Sequence, residues 1–301
     1  MADGAADNLR ELPEQIQRML DHYRLVDNPF GTAVDAKVFS RAGNRAVVAG
    51  QIERLFQSTA TECLLIAPSG GGKRTLARQV ARQLGAGWRV AWIAGWEVLD
   101  SVDLVRELVA QFRLGPKVEG TPAETSRRIA ELVARKADGG ENCLLVVQNA
   151  DQLTPEMQQW LRSLGRHGGR PEMRLRQLWL AESAQPIEQA DEGHQWTATS
   201  LDPLTDTEAL EYLRDRFAAA GRFEGLPIEE SEVARLNRMA GGWPGRLNRV
   251  ARDHLIAANK RALEWRVPTG LLYALIGIAV LAAVCHGGES IPVQPTRIAH
   301  R

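Results

Sequence analysis

The stretch that decides the fold is CLLIAPSGGGKRT, residues 63–75. An apolar run ends at Ile66, three glycines follow, and Lys73 opens the amphipathic segment KRTLARQVARQL. A buried strand, a glycine loop and a helix in this order form a cradle for an anion. Glycine permits the tight backbone path, and the helix N-terminus directs N–H groups at the bound charge. The stretch therefore predicts a phosphate-binding loop between a strand and a helix.

The loop departs from the Walker A pattern GxxxxGK[ST] at two positions. Ala67 replaces the first glycine, which is a mild change if the backbone φ there is negative. Arg74 replaces the Ser or Thr whose hydroxyl ligates Mg²⁺. Thr75 comes one residue late, rotated by about 100° around the helix, and is a poor substitute. The predicted nucleotide-binding residues are Ser69, Gly70, Gly71, Gly72, Lys73, Arg74 and Thr75.

The Walker B position shows a matching departure. The candidate strand is LLVVQNAD, residues 144–151, which places Gln148 and Asn149 where an Asp for Mg²⁺ and a Glu base are usual. An amide neither binds Mg²⁺ with charge nor serves as a general base. We therefore predict no catalytic residue and no protein-ligated metal. ATP or ADP stays a candidate ligand, with Arg74 standing in for the metal charge; the alternative is an empty loop kept for folding.

Strands and helices alternate up to about residue 203, and only helices follow. The apolar runs WRVAWIAG (88–95), NCLLVVQNAD (142–151) and RLRQLWLAES (174–183) predict three further buried strands. Capping boxes at Thr121 with Glu124 and at Thr205 with Glu208 predict two helix starts. The predicted fold is a parallel α/β sandwich over 51–203, preceded by a helical segment over 1–50 and followed by a small all-α lid domain over 204–264.

An uncharged apolar run, VPTGLLYALIGIAVLAAVC, covers residues 267–285. As a helix it is about 28 Å long, which matches the hydrocarbon thickness of a bilayer. Lys260, Arg261 and Arg266 precede it directly, so the positive-inside bias places the large domain in the cytoplasm. We expect a single-pass protein of the bacterial inner membrane, with residues 286–301 as a short periplasmic tail.

Composition narrows the function further. The chain has 37 basic and 37 acidic residues, so it lacks the net positive charge typical of proteins that coat nucleic acid. We expect no nucleic-acid partner. The three cysteines, Cys63, Cys143 and Cys285, have no metal-ligand spacing, and we interpret them as buried thiols.

The whole pattern resembles the AAA+ domains of the ExeA/GspA secretion-type ATPases, and is more similar still to the cytoplasmic domain of DamX-type, SPOR-associated cell-division proteins. The resemblance is carried by HYRLVDNPF (22–30), LLVVQNADQL (144–153), LWLAES (178–183), LDPLTDTEALEYLRDRFAAAG (201–221) and GGWPGRLNRVARDHL (241–255). It implies a sensor-1 position at Glu182 and a lid arginine at Arg216. The relatives' sensor-2 arginine corresponds to Gly245, and Arg246 follows one place later.

These features favour a membrane-anchored AAA+-like protein with degenerate Walker motifs. It would bind nucleotide without hydrolysing it, or act purely as a scaffold, and recruit protein partners at the inner envelope in cell division or secretion, with self-association a further option. The alternative is a slow or partner-activated ATPase of the ExeA/GspA type. A third hypothesis is a DNA-associated AAA+ helper, against which the neutral charge and the membrane span both count.

Overall fold

The computed structural model describes residues 3–31, 38–58, 61–95, 101–115, 118–166, 170, 173–189 and 196–264. The predicted membrane span and tail lie outside these residues. Within the described part of the chain, no helix has the length and apolar character needed to cross a bilayer.

The core of the fold is a five-stranded sheet in which every pairing is parallel. Its strands are β1 (Glu62–Ile66), β2 (Trp88–Ala94), β3 (Asn142–Gln148), β4 (Arg176–Ala181) and β5 (Ala198–Ser200), and their order is β2–β3–β4–β1–β5. In this register Ile66 lies opposite Ala181, and Gln148 lies opposite Leu180. The carboxyl ends of β1, β3 and β4 therefore meet at one edge of the sheet. The edge strand β5 is an element that the sequence pattern did not predict.

Helices surround the sheet and form a second unit after it. Those around the sheet are α2 (Arg45–Gln57), α3 (Lys73–Leu84), α4 (Ser101–Phe112), α5 (Pro122–Asp138), α6 (Pro155–Arg166) and the short α7 (Gln185–Gln189). The helical unit comprises α1 (Asp3–Tyr23), α8 (Asp206–Ala219), α9 (Glu230–Ala240) and α10 (Pro244–Glu264). Both predicted capping boxes, at Thr121 before α5 and at Thr205 before α8, are present.

The two faces of the sheet are covered by different helices. Leu145, Val147 and Trp179 face one apolar cluster that contains residues of α4, α5 and α6. Leu144 and Val146 face the other, with α2 and α3. Because successive side chains of a strand point to opposite faces, a continuous apolar run buries both sides. The predicted α/β sandwich is confirmed.

The helical unit has an apolar core of its own. Met19 of α1 and Leu25 after it belong to the same buried cluster as Leu213 of α8 and Leu247 of α10. The N-terminal segment is thus divided between two bodies. Helix α1 packs into the helical unit, while α2 packs on the sheet.

Burial of the strand cysteines has a measurable consequence. Cys63 and Cys143 are fully buried in β1 and β3, and burial raises the pKa of each thiol to about 12. Since only the thiolate is nucleophilic, we expect neither to react with iodoacetamide at pH 8 until the protein unfolds. Mass spectrometry of a Cys285→Ser protein, alkylated with and without urea, measures this. Rapid labelling of either thiol in the folded protein would contradict the prediction.

Candidate functional site

The loop between β1 and α3 has the geometry of a phosphate cradle. Gly70 and Gly72 have φ values of +79° and +97°, which disfavour any residue with a side chain. A Cβ on Gly71 would lie 2.7 Å from the Cβ of Ala67. All three glycines are therefore required by the backbone path. Ala67 is not among the described residues with positive φ, so its replacement of the first Walker A glycine causes no strain there.

A cavity of about 510 Å³ opens above this loop, between the sheet edge and the helical unit. Its volume lies in the usual range of small-ligand sites. Of the sequence-predicted residues it brings together Ser69, Gly70, Gly71, Gly72, Lys73, Arg74, Thr75, Asn149, Glu182 and Arg216. Further lining residues are Val38, Phe39, Ser40, Arg45, Leu76, Tyr212, Pro244, Gly245 and Asn248. Arg246 is exposed outside the lining, and Gln148 joins the site only through Arg74.

The Lys73 ammonium group is folded over the loop. Its Nζ donates to the carbonyl oxygen of Ala67 and, at 3.3 Å, to that of Pro68. Burial lowers the pKa of Lys73, and the negative charges of Glu182 and Asp151 oppose that shift. The lysine is thus a positioned cation whose present partners are weakly charged carbonyl oxygens. Phosphate oxygens would be stronger acceptors for the same donor.

The two altered Walker positions are in direct contact. Arg74 Nε donates a hydrogen bond to Oε1 of Gln148 at the carboxyl end of β3. Gln148 is buried, whereas Arg74 is exposed at the cavity. In an intact Walker site a hydroxyl and a carboxylate from these positions serve Mg²⁺. Here a guanidinium cation donates to an amide oxygen, so the two substitutions form one interaction.

The turn after β3 presents an amide to the cavity. Asn149, at the position of the Walker B base, lines the cavity with a φ of +50°. Asp151 does not line it, and its Oδ2 accepts the backbone N–H of Glu182 at 3.2 Å. This bond fixes the end of β4 against the turn. Glu182 is the one carboxylate among the described lining residues, at the position that the resemblance assigns to sensor 1.

Arg45 is a component of the site that the sequence analysis missed. It is 5% exposed, and its Nη2 donates to the carbonyl oxygen of Gly71 at 3.3 Å while its Nη1 donates to that of Ala42 at 3.4 Å. Burial lowers the pKa of Arg45. A third cation therefore supports the loop from the start of α2. Nothing in the local sequence distinguishes it from an ordinary helix arginine.

Arg216 lines the cavity but is engaged by protein oxygens. It is buried, and its Nε donates to the carbonyl oxygen of Pro29, while Nη1 donates to the Tyr212 hydroxyl at 3.2 Å. A longer contact of 3.5 Å joins Nη2 to the carbonyl oxygen of Gly31. In this structure Arg216 ties the segment after α1 to α8.

The helical unit rests on the phosphate loop through glycine backbone. The Gly245 N–H donates to the carbonyl oxygen of Gly70 at 2.8 Å. A Cβ on Gly245 would lie 2.8 Å from the Cα of Gly70, and one on Gly71 would lie 3.5 Å from the Trp243 ring. In the resembled family this position bears the sensor-2 arginine. Here it is Gly245, and its lack of a side chain permits the contact with Gly70.

A parallel sheet in this order, with a glycine loop after its first strand and a helical unit seated on that loop, is the arrangement of a P-loop α/β domain. Residues 54–183 match the family model described as an AAA domain. No curated protein matches the chain. The predicted parallel α/β fold is confirmed, and over residues 54–183 the chain is similar to AAA domains.

Solved structures agree on the fold. Cdc6p from Pyrobaculum aerophilum is similar with a TM-score of 0.59 at 14% identity, over 80% of this chain and 67% of that chain. The Walker-type ATPase of Pyrococcus abyssi is similar with a TM-score of 0.54 at 15% identity, over 79% and 75%. At such identities the likeness concerns the fold alone. The finer resemblance to ExeA/GspA and DamX-type proteins stays a prediction.

Proposed function

We propose that this chain is a nucleotide-binding AAA+-like module that holds ATP or ADP without hydrolysing it efficiently, and that its nucleotide state governs contacts with protein partners. The observation that carries the proposal is the loop itself. It keeps its glycine geometry and its positioned Lys73, while the metal and base positions are Gln148 and Asn149.

The residues present fit a nucleotide. The N–H groups of the glycine loop and the N-terminus of α3 suit the phosphates, with Lys73 and Arg74 as charge partners. Val38, Phe39 and Pro244 give the same cavity an apolar surface that suits a nucleobase. These groups bind and orient a nucleotide, and Arg45 supports the loop that does so.

Hydrolysis is not supported by the same residues. Phosphoryl transfer relies on metal-assisted charge neutralisation and a positioned nucleophile. The amide of Asn149 cannot accept a proton from water. A second candidate function, the slow or partner-activated ATPase, is favoured by one observation: the carboxylate of Glu182 lines the cavity, where a partner could recruit it as a base.

The cellular setting of the proposal rests on the sequence. The uncharged run at 267–285, with its preceding basic residues, supports a single span in the bacterial inner membrane, a cytoplasmic main domain and a periplasmic tail. Partners would then be proteins of the cell envelope in division or secretion, or further copies of this chain. The balanced charge counts against a DNA-associated helper.

Calorimetric titration of the full-length protein in detergent with ATP and ADP tests the binding proposal. We expect micromolar affinity, and a loss of about tenfold to hundredfold in Lys73→Ala, because a charged hydrogen bond contributes about 1.5–3 kcal/mol. Lys260→Ala, an exposed lysine of α10, is the control and should bind like the wild type.

Two results would contradict the binding proposal: no heat of binding in the wild type, or equal affinity in Lys73→Ala. A parallel assay of phosphate release separates the two candidate functions. A rate of phosphate release equal to that of Lys73→Ala agrees with a non-hydrolysing module. Turnover that appears on addition of membrane extract, and that requires Glu182, supports the partner-activated ATPase.

A further inference from the structure

We infer that the site takes its nucleotide without Mg²⁺, and that Arg74 is the residue that excludes the ion and supplies a positive charge in its place. This rests on the proposed function, because it concerns the form in which the nucleotide binds. It makes Arg74 a specificity-determining residue for the metal-free nucleotide.

The donor set does not fit Mg²⁺. This ion prefers oxygen ligands in octahedral geometry, and proteins usually supply one or two carboxylates beside the substrate phosphates. The position after Lys73 offers a guanidinium, and the end of β3 offers an amide whose oxygen already accepts from Arg74 Nε. Within the described residues no group of three or more His, Cys, Asp or Glu side chains is placed to hold a metal ion.

The nearest carboxylates do not repair the deficit. Asp151 is held by the backbone N–H of Glu182 and does not line the cavity. Glu182 does line it, but its negative charge acts on Lys73, whose pKa it helps to hold up. Glu182 is a single carboxylate beside Lys73, and Arg74 occupies the position of the usual hydroxyl ligand. This arrangement is a weak site for a dication.

Charge balance favours the free nucleotide. The lining residues of the loop region carry the cations Arg45, Lys73 and Arg74 against the single carboxylate of Glu182. A polyphosphate without metal has its full negative charge to match these groups, whereas the Mg²⁺ complex has part of it neutralised. The bond to Gln148 also orients the Arg74 guanidinium, so a dication on the phosphates would lie beside a fixed like charge.

The test needs no variant at first. The full-length protein is titrated with ATP in EDTA and in excess Mg²⁺ at matched ionic strength. We expect binding to be about tenfold or more weaker in Mg²⁺. Equal or tighter binding in Mg²⁺ overturns the inference and leaves the proposed function standing. Absence of binding in both buffers overturns the proposed function and the inference with it.

A paired exchange identifies the residue responsible. Arg74→Thr with Gln148→Asp restores the usual hydroxyl and carboxylate, and we expect this double variant to bind ATP more tightly with Mg²⁺ than without. Arg78→Thr with Gln83→Asp is the matched control, because both residues are exposed in α3, lie outside the cavity lining and undergo the same change in charge. It should keep the wild-type preference. An equal change in both proteins would assign the effect to net charge and overturn the role of Arg74.

Discussion

Replacing Gly245 with alanine is expected to destabilise the protein and to weaken nucleotide binding, although alanine is the better helix former. The new Cβ would lie 2.8 Å from the Cα and 3.1 Å from the carbonyl oxygen of Gly70. Both atoms are backbone and cannot rotate away, so α10 or the loop must move. Overpacking typically costs about 1–3 kcal/mol, and loss of the Gly245–Gly70 hydrogen bond adds about 1 kcal/mol.

Gly50→Ala is the control for the Gly245 prediction. Gly50 lies within α2, where a Cβ would meet only the flexible end of Arg54 at 3.5 Å. We expect this change to stabilise the protein by about 0.5–1 kcal/mol. Urea unfolding of both variants, with nucleotide titration of Gly245→Ala, measures the effects. If Gly245→Ala were as stable as the wild type or more so, the helical unit would not rest on the loop as described.

Arg216→Met is expected to lower the free energy of unfolding by about 2–4 kcal/mol. The methionine fills part of the same volume but leaves the buried carbonyl oxygen of Pro29 without its charged donor. It also removes the contact with the Tyr212 hydroxyl. Residues 24–31, which follow α1, should loosen before the sheet does, because their attachment to α8 depends on these bonds.

Arg214→Met on the same helix is the comparison for Arg216. Arg214 is exposed and pairs with an exposed Glu230, an arrangement that contributes about 0–1 kcal/mol. Chemical unfolding gives the difference between the two variants, and hydrogen exchange over residues 24–31 shows whether the attachment is local. Equal stability of the two methionine variants would mean that Arg216 does not hold this segment.

Much of the fold could be predicted because its signals are local. The buried strands are continuous apolar runs, and the helix starts carry their own caps, so each element is encoded within about a dozen residues. Strand β5 was not predicted from the sequence, because Ala198–Ser200 is short, lies at the edge of the sheet and has no apolar run. The short helix α7 has too few residues to show a period.

The site was predictable only where it is contiguous. The loop residues from Ser69 to Thr75 follow one another, and their residue types alone indicate an anion cradle. The support from Arg45 joins residues 26 positions apart, and the pairing of Arg74 with Gln148 joins residues 74 apart. Such contacts depend on how the sheet folds. The same holds for Gly245, whose missing side chain is meaningful only once Gly70 is seen beneath it.

The packing of α1 against α10 sets an order of events during synthesis. Helix α1 leaves the ribosome first, but its partners in the shared core, such as Leu247 and Leu255, follow only after the entire sheet. At about 5–20 residues per second, α1 waits on the order of ten seconds or more with its apolar face uncovered. The sheet can close in that interval, whereas the helical unit cannot. The cavity, which needs both bodies, is therefore a late product of folding, and its lining is complete only after the start of α10 has emerged.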